Sequence, residues 1–278
     1  MLVTGSSGVV GAAIARELHS AGWAVRGWDV RPGRWTTHRG DLRDAAVRAR
    51  AVAGVGAVVH TAALHAPHVG SVPDAEFRSV NVEATAALLE RAARCGVRRV
   101  VHTSSTSVYG HALVPVDRAV WVDEKLVPRP RDVYDETKLE AEALVGAHGG
   151  GRLSTVVLRI ARCFAEAPAV QAAHRLHRGV ALPDVARAHR LALERPDASG
   201  VLNIAGPLLF RPEDTEQLWL DAPAVIARRA PEVVALFRRR GWSLPAKIDR
   251  VYDSQEASGR LDYHPEHGPA SAAEAEPG

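Results

Sequence analysis

Cysteine is nearly absent from this 278-residue chain. Its two copies, Cys95 and Cys163, form no Cys-x-x-Cys pair, so there is neither a disulfide framework nor a thiolate metal set to read. Both lie in or beside apolar segments, which predicts buried free thiols and suits a reducing cytoplasm. Long apolar runs are missing, and none approaches the length of a membrane span. A strand pattern begins at Leu2 with no leader ahead of it, so a soluble, cytoplasmic protein is expected. Concentrated charge is missing as well. The formal net charge is only +3. The runs Arg228-Arg229 and Arg238-Arg239-Arg240 fall in helical patterns and read as solvated faces, which argues against a nucleic-acid partner. No internal repeat is present.

What is there is ordinary globular material. Hydrophobic residues make up 46% and charged residues 24%, enough to bury a large core. Apolar strand-like runs alternate with amphipathic helical patterns, the mark of βαβ units and a parallel sheet. Strands are expected at Leu2-Val3, 23–30, 55–61, 99–104, 155–160 and 201–204. A further short strand is expected before Gly40. Helices are expected over about 10–21, 75–95 and 134–145, with Gly22 and Gly96 as stops. The fold class is therefore α/β: a Rossmann-type, doubly wound parallel sheet with a smaller, mostly helical C-terminal lobe that shapes the substrate pocket. The sheet domain should span 1–164 and be completed by parts of 180–206. The lobe should span 165–267, and the tail 268–278, lacking apolar periodicity, should be disordered.

Thr4-Gly5-Ser6-Ser7-Gly8-Val9-Val10-Gly11 follows a strand and opens a helix. Gly5 permits the turn, Gly8 lets backbone approach a pyrophosphate, and Gly11 allows close helix–strand packing. The helix start offers free N–H groups and a positive dipole end. Asp29 ends the second strand roughly 20 residues on, where a carboxylate binds ribose hydroxyls. That favours NAD over NADP, although Arg31 and Arg34 stand close enough to accept a 2′-phosphate. Asp41, after Gly40, falls near the adenine. His60-Thr61-Ala62-Ala63 ends the fourth strand, where small residues let backbone lie against a cofactor.

Tyr134 and Lys138 are spaced i, i+4 and share one helix face. A phenol ordinarily ionises near pH 10, and a neighbouring ammonium lowers that value and makes it a usable acid/base. The chain holds four tyrosines and only three lysines, Lys125, Lys138 and Lys247. Chance placement gives about 0.04 such pairs at the helical spacing. A chain that uses Arg almost everywhere has Lys at 138, and the rigid guanidinium fork does not replace a compact ammonium. Ser104-Ser105-Thr106-Ser107 closes the fifth strand, at the carboxyl end where such sheets bind ligands.

Together these residues resemble the extended short-chain dehydrogenase/reductase family, in its NAD-dependent epimerase/dehydratase branch (UDP-glucose 4-epimerase-like). The likeness covers about 1–160 and resumes at 183–189, at 203–206 and faintly at 250–263. It implies that Tyr134 is the acid/base, that Lys138 binds the nicotinamide ribose, and that Ser105 holds the substrate oxygen. It implies a cofactor pocket of Gly5, Gly8, Val9, Val10, Gly11, Asp29, Asp41, Leu42, Thr61, Ala62, Ala63 and Asn81, with Tyr134 and Lys138. It also implies a homodimer through the helices near 75–95 and 134–148.

Two departures stand out. Thr106-Ser107 occupy the place where the dehydratases carry Asp-Glu, so no carboxyl is present to expel water. After the sixth strand, Arg162 replaces the Asn that touches a sugar-nucleotide diphosphate, and the following stretch is short. Ser105, Thr106 and Arg162 are thus the candidate substrate contacts, with Arg162 suited to a phosphate. The leading expectation is an NAD-dependent epimerase of a nucleotide-linked hexose. The alternatives are an NAD(P)-dependent dehydrogenase or ketoreductase on a smaller alcohol, carbonyl or modified sugar, and a nucleotide-sensing regulator. His65/His68 and His174/His177 lack the carboxylate or Cys neighbours of a metal centre, so no metal is expected.

Overall fold

A computed structural model describes residues 1–274. The strands are β1 (Leu2–Thr4), β2 (Arg26–Asp29), β3 (Thr36–Arg39), β4 (Ala57–His60), β5 (Arg99–Ser105), β6 (Val120–Val122), β7 (Ser154–Ile160), β8 (Gly200–Ile204) and β9 (Arg250–Tyr252). The helices are α1 (Val9–Ser20), α2 (Ala45–Val52), α3 (Asp74–Arg78), α4 (Ala84–Arg94), α5 (Val133–His148), α6 (Pro168–Arg175) and α7 (Leu182–Glu194). They continue with α8 (Thr215–Leu220), α9 (Ala222–Arg229), α10 (Pro231–Arg240), α11 (Gln255–Leu261) and α12 (Pro269–Glu274).

Seven strands form one sheet in the order β3-β2-β1-β4-β5-β7-β8, and every pairing in it is parallel. A parallel sheet needs cover on both faces, and its inner strands read as unbroken apolar runs. Accordingly β4 is buried throughout, and so is β5 up to Ser105. Ile14 and Leu18 of α1 pack with Val185 and Ala188 of α7 on one face. Val47 of α2, Leu88 of α4 and Val145 of α5 build the core on the other. The strand order reverses between β1 and β4, which opens a crevice at the carboxyl ends where ligands bind in such sheets.

Arg99 ties the bottom of the sheet to α7. Its buried guanidinium donates to the carbonyls of Ala192 at 2.6 Å and Ala198 at 2.8 Å. Ala192 O is a carbonyl that the end of α7 leaves unpaired, and Ala198 O belongs to the loop that follows.

The smaller lobe has a core of its own, in which Leu176, Leu218, Val225, Phe237 and Ile248 pack together. It draws on a segment that lies well before it in sequence. Strands β6 and β9, some 130 residues apart, pair in parallel as a separate two-stranded sheet. The sequence reading missed both strands.

Three expectations are corrected. The stretch from Gly268 is not disordered as far as it is described. It forms α12, with Ala272 and Ala273 buried in the lobe core. Arg240 caps it at Ala273 O and Arg175 binds Ser271 Oγ. Alanine buries fully without a strong apolar period, which is why composition suggested disorder. Residues 275–278 of that expected tail lie outside the described residues. The single helix expected over 75–95 is divided: a π-helical turn, Ser79–Glu83, separates α3 from α4. Both thiols, expected buried, are free and half-buried.

Candidate active site

The glycine loop behaves as its spacing requires. Gly5 turns the chain at φ 69°, a conformation glycine adopts without strain. A Cβ on Gly11 would lie 2.1 Å from Gly5 O, so loop and helix touch there. A Cβ on Gly8 would meet only Gly5 O, at 3.3 Å. The space above Gly8 is therefore open. Gly8 is the N-cap of α1 and no side chain caps the helix, which leaves its first N–H groups for an anion. Val9 is 70% exposed at this mouth, Val10 is half-buried and Gly11 buried.

Asp29 is where the sequence placed it. Its two oxygens accept Ser7 N and Arg31 N, both at 2.9 Å. The carboxylate thus fixes the glycine loop from the end of β2. Thr61 donates to Thr4 O at 2.6 Å, and the amides of Thr61 and Ala62 donate to Thr4 Oγ1. Thr61, Ala62 and Ala63 accordingly form a half-buried wall beside the loop. An open backbone cradle, a free helix start and a strand-end carboxylate fit a dinucleotide: phosphates at Gly8–Gly11 and ribose at Asp29.

Other cofactor candidates are committed elsewhere. Arg43 grips Asp41 in a two-pronged pair and holds its carboxyl below the usual range. Leu42 is buried in the sheet core. Asn81, in the π-helical turn, accepts Leu64 N at 2.8 Å and donates to Leu64 O and Thr137 Oγ1. Its amide joins the chain after β4 to α5.

At the carboxyl end of β5, Ser105 accepts Ser107 N at 3.1 Å and Thr106 is buried. Helix α5 starts at Asp132, whose side chain accepts Asp135 N. This cap places Tyr134 in the first turn, against the Ser105 and Ser107 hydroxyls. Burial is the largest influence on the phenol and pushes it up to about 12, although both serines act to lower it. Lys138 lies one turn on, and burial brings its ammonium down to about 8, opposed by Glu142. Its Nζ donates to Thr103 O at 2.7 Å and lies 3.3 Å from His102 Nε2. The expected lowering of the phenol by this lysine is not seen: burial raises the phenol, and the groups that act to lower it are the two serines.

Arg162 is not free either. It donates to both oxygens of Glu166, at 2.6 and 3.1 Å, and its guanidinium covers the Phe164 ring. His174 Nδ1 lies 2.9 Å from the same carboxylate. These residues, with Val9 and Cys163, line a cavity of about 190 Å³ between the sheet domain and the lobe. Cys163, in that wall, also acts to raise the Tyr134 phenol. The His65 and His68 rings stack edge to face at 4.5 Å.

The sequence reading missed four residues of the site: Ser107, Cys163, His102 and Glu142. Glu142 carried a legible signal, because Tyr134, Lys138 and Glu142 form one i, i+4, i+8 stripe. Ser107 stood inside a hydroxyl-rich run. The other two carried none.

Comparison with known proteins agrees with this geometry. The model of the NAD dependent epimerase/dehydratase family matches residues 1–181. A 3 beta-hydroxysteroid dehydrogenase/Delta 5-->4-isomerase of Mycobacterium tuberculosis is 36% identical over 162 residues, covering 54% of this chain and 43% of that protein. The UDP-glucose 4-epimerase of Streptomyces lividans is 30% identical over 175 residues, covering 58% and 52%. The chain thus spans about half the length of these curated relatives. A short-chain dehydrogenase/reductase superfamily protein from Agrobacterium tumefaciens, solved with bound NAD, shares the fold at a TM-score of 0.75. It is 23% identical, and the match covers 98% of this chain and 94% of that one. The chain belongs to the NAD dependent epimerase/dehydratase family.

Proposed function

We propose that this protein is an NAD-linked oxidoreductase that interconverts a ketone and a secondary alcohol, on a substrate without a nucleoside diphosphate. The observation that carries the reading is the setting of Tyr134. A half-buried phenol, held up at about 12 chiefly by desolvation, faces two serine hydroxyls. At neutral pH it keeps its proton and acts as a general acid.

Bound as NADH the cofactor would supply the hydride, and as NAD⁺ it would accept one. The protein does the rest. Gly8, Val9 and Gly11 seat the phosphates, and Asp29 takes the ribose hydroxyls. Ser105 donates a hydrogen bond to the ketone oxygen and orients it. Tyr134 gives its proton to that oxygen as hydride reaches the carbon, and takes it back in the oxidative direction. Lys138 steadies the ribose. The absence of a carboxyl at Thr106-Ser107 leaves no base to expel water. Glu166 occupies Arg162, the cation that stands where the diphosphate-contacting Asn would be, while Arg175 elsewhere in the cavity wall bonds Ser271 and Gln171.

A second reading, epimerisation of a nucleotide-linked hexose, draws on the likeness to the Streptomyces lividans epimerase. An epimerase reuses its cofactor each cycle and retains it; an oxidoreductase exchanges it. Denaturing the purified protein and identifying any released dinucleotide by mass spectrometry separates the two. Little bound NAD, with NADH oxidised by a panel of ketones, supports the oxidoreductase. Stoichiometric NAD with conversion of UDP- or dTDP-hexoses overturns it. Dissociation constants for NADH and NADPH test Asp29, and a clear NADPH preference would count against its ribose role. A homodimer through α4 and α5 belongs to the same proposal and is read by sedimentation.

A further inference from the structure

Behind Lys138 lies a set of buried histidines that the reaction above leaves unused. His102 stands on β5, His60 on β4 and His189 on α7, and each is 1% exposed or less. Two of them have a definite tautomer. Thr4 Oγ1 accepts the amides of Thr61 and Ala62, so its own proton goes to His60 Nδ1 at 2.7 Å; His60 Nε2–H then donates to Thr85 Oγ1 at 2.9 Å. His189 donates from Nδ1 to Val185 O at 2.8 Å and accepts Thr103 Oγ1 at Nε2. Every ring nitrogen of this pair is satisfied within the fold.

His102 differs. Its Nε2 lies 3.3 Å from Lys138 Nζ, and its Nδ1 is buried with no partner among the described residues. A core position that left a ring nitrogen unpaired would be better filled by an apolar side chain, since an unsatisfied buried polar group is costly. The imidazole's one polar contact is the lysine.

We propose that His102 is a positioning residue for Lys138: its neutral ring accepts one N–H of the ammonium at Nε2 and holds the charge in place from behind. This rests on reading Lys138 as the lysine that meets the cofactor ribose. An ammonium has three donors. Thr103 O takes one and His102 Nε2 a second, which leaves the third for the cleft. The ring acts only as a neutral acceptor, since a protonated imidazole would repel the ammonium. Every charged or titratable neighbour is consistent with that. Burial, Lys138, His60 and His189 all hold His102 far below its usual range. On the lysine's side, Glu142 of α5 favours the ammonium, while being itself shared with Arg159 of β7. An acceptor for the charged form raises the lysine's pKa against the burial that lowers it.

The test uses the full chain labelled with ¹⁵Nζ-lysine. With three lysines, Lys138 gives one of three signals, and its titration is followed directly without substrate or cofactor. His102→Leu removes the acceptor, and the Lys138 midpoint should fall by about one pH unit or more. His102→Gln restores an acceptor near Nε2 and should return the midpoint most of the way. A midpoint unmoved by His102→Leu, or moved equally by both variants, overturns the proposal. Should His102→Leu fail to fold, the wild-type imidazole decides by its ¹⁵N spectrum: proton on Nδ1 supports the proposal, proton on Nε2 overturns it. Neither measurement depends on the substrate. If Lys138 titrates as before while Tyr134→Phe abolishes turnover, the positioning role fails and the reaction reading stands.

Discussion

The hydroxyl of Ser104 donates to Glu142 Oε1 at 2.5 Å, one residue before the serine at the mouth of the cleft. The same carboxylate accepts Arg159 Nη2 at 2.7 Å and Nε at 3.0 Å, and both side chains of the pair are under a tenth exposed. The Arg159 guanidinium in turn covers the Tyr109 ring at 4.9 Å. A buried, fully bonded charge pair therefore anchors α5 to the ends of β5 and β7, directly beneath Tyr134 and Lys138.

Glu142→Ala should be strongly destabilising. It strands the Arg159 charge and the Ser104 hydroxyl in the interior. Breaking a buried pair from one side costs about 3–5 kcal/mol. Urea unfolding followed by circular dichroism reads this as a lower midpoint. Glu142→Gln keeps the shape and one acceptor but not the charge, and should fall between the two. An Ala variant within about 1 kcal/mol of the wild type would show that the pair stabilises little.

Tyr134→Phe should separate binding from chemistry. The phenol faces the Ser105 and Ser107 hydroxyls, so its loss removes the proton donor and leaves the glycine loop intact. Turnover with a responsive ketone should fall by about 10²–10⁴-fold. The dissociation constant for NADH, from fluorescence, should stay within about twofold. A parallel loss of NADH binding would show that Tyr134 mainly holds cofactor. Ser105→Ala should lower turnover by less, because Ser107 stands beside the same phenol.

Much of this could be read from local spacing. The glycine loop, Asp29 and the Tyr134–Lys138 pair depend on neighbours within one turn or one strand–helix unit, and they are in place. What could not be read depends on distant partners. Strands β6 and β9 have three residues each and meet only because the lobe folds. Arg162 looked like a phosphate ligand until Glu166, one helical turn's distance away, closed on it. His102 sits in a strand buried on both faces, where alternation no longer tells which side a residue faces. The Tyr134 phenol depends on desolvation, a property of the assembled crevice rather than of the helix that carries it.

Gly8→Ala and Gly11→Ala should fail differently. A methyl on Gly8 meets only Gly5 O at 3.3 Å, whereas one on Gly11 lies 2.1 Å from Gly5 O and 2.9 Å from Thr61 Oγ1. Gly11→Ala overpacks the helix–strand contact and should cost about 1–3 kcal/mol of stability. Gly8→Ala should fold with a melting temperature close to the wild type. Its methyl stands in the open space above the helix start, so NAD should bind about tenfold or more weakly. Calorimetry of both variants checks the pair, and equal NAD affinity for Gly8→Ala and wild type would remove the phosphate from this loop.

Stability should fall steeply as the solution becomes mildly acidic, because of the three buried histidines. Burial holds His60 at about 3 and His189 at about 4, and drives His102 well below its usual value. In the unfolded chain each titrates near 6.5. Above that value both states are neutral and the full stability is present. As pH falls below 6.5 the unfolded chain takes up protons that the folded protein refuses, so unfolding gains. At pH 5 this amounts to about 2 kcal/mol for each histidine, and about 6 kcal/mol for the three. That is a large share of the 5–15 kcal/mol typical of a folded domain. The His189 share should level off near pH 4, where that ring protonates in the fold, while His60 goes on adding to the loss down to about pH 3 and His102 does so as well. Paired carboxylates such as Asp41 and Glu166, held below their usual range, add their own loss only at lower pH. Urea midpoints at pH 7.5, 6 and 5 test this. A steady decline that His60→Asn and His189→Asn each make shallower supports the account. A flat profile from pH 7.5 to 5 would mean that water reaches these rings and that they protonate in the folded protein as readily as in the open chain.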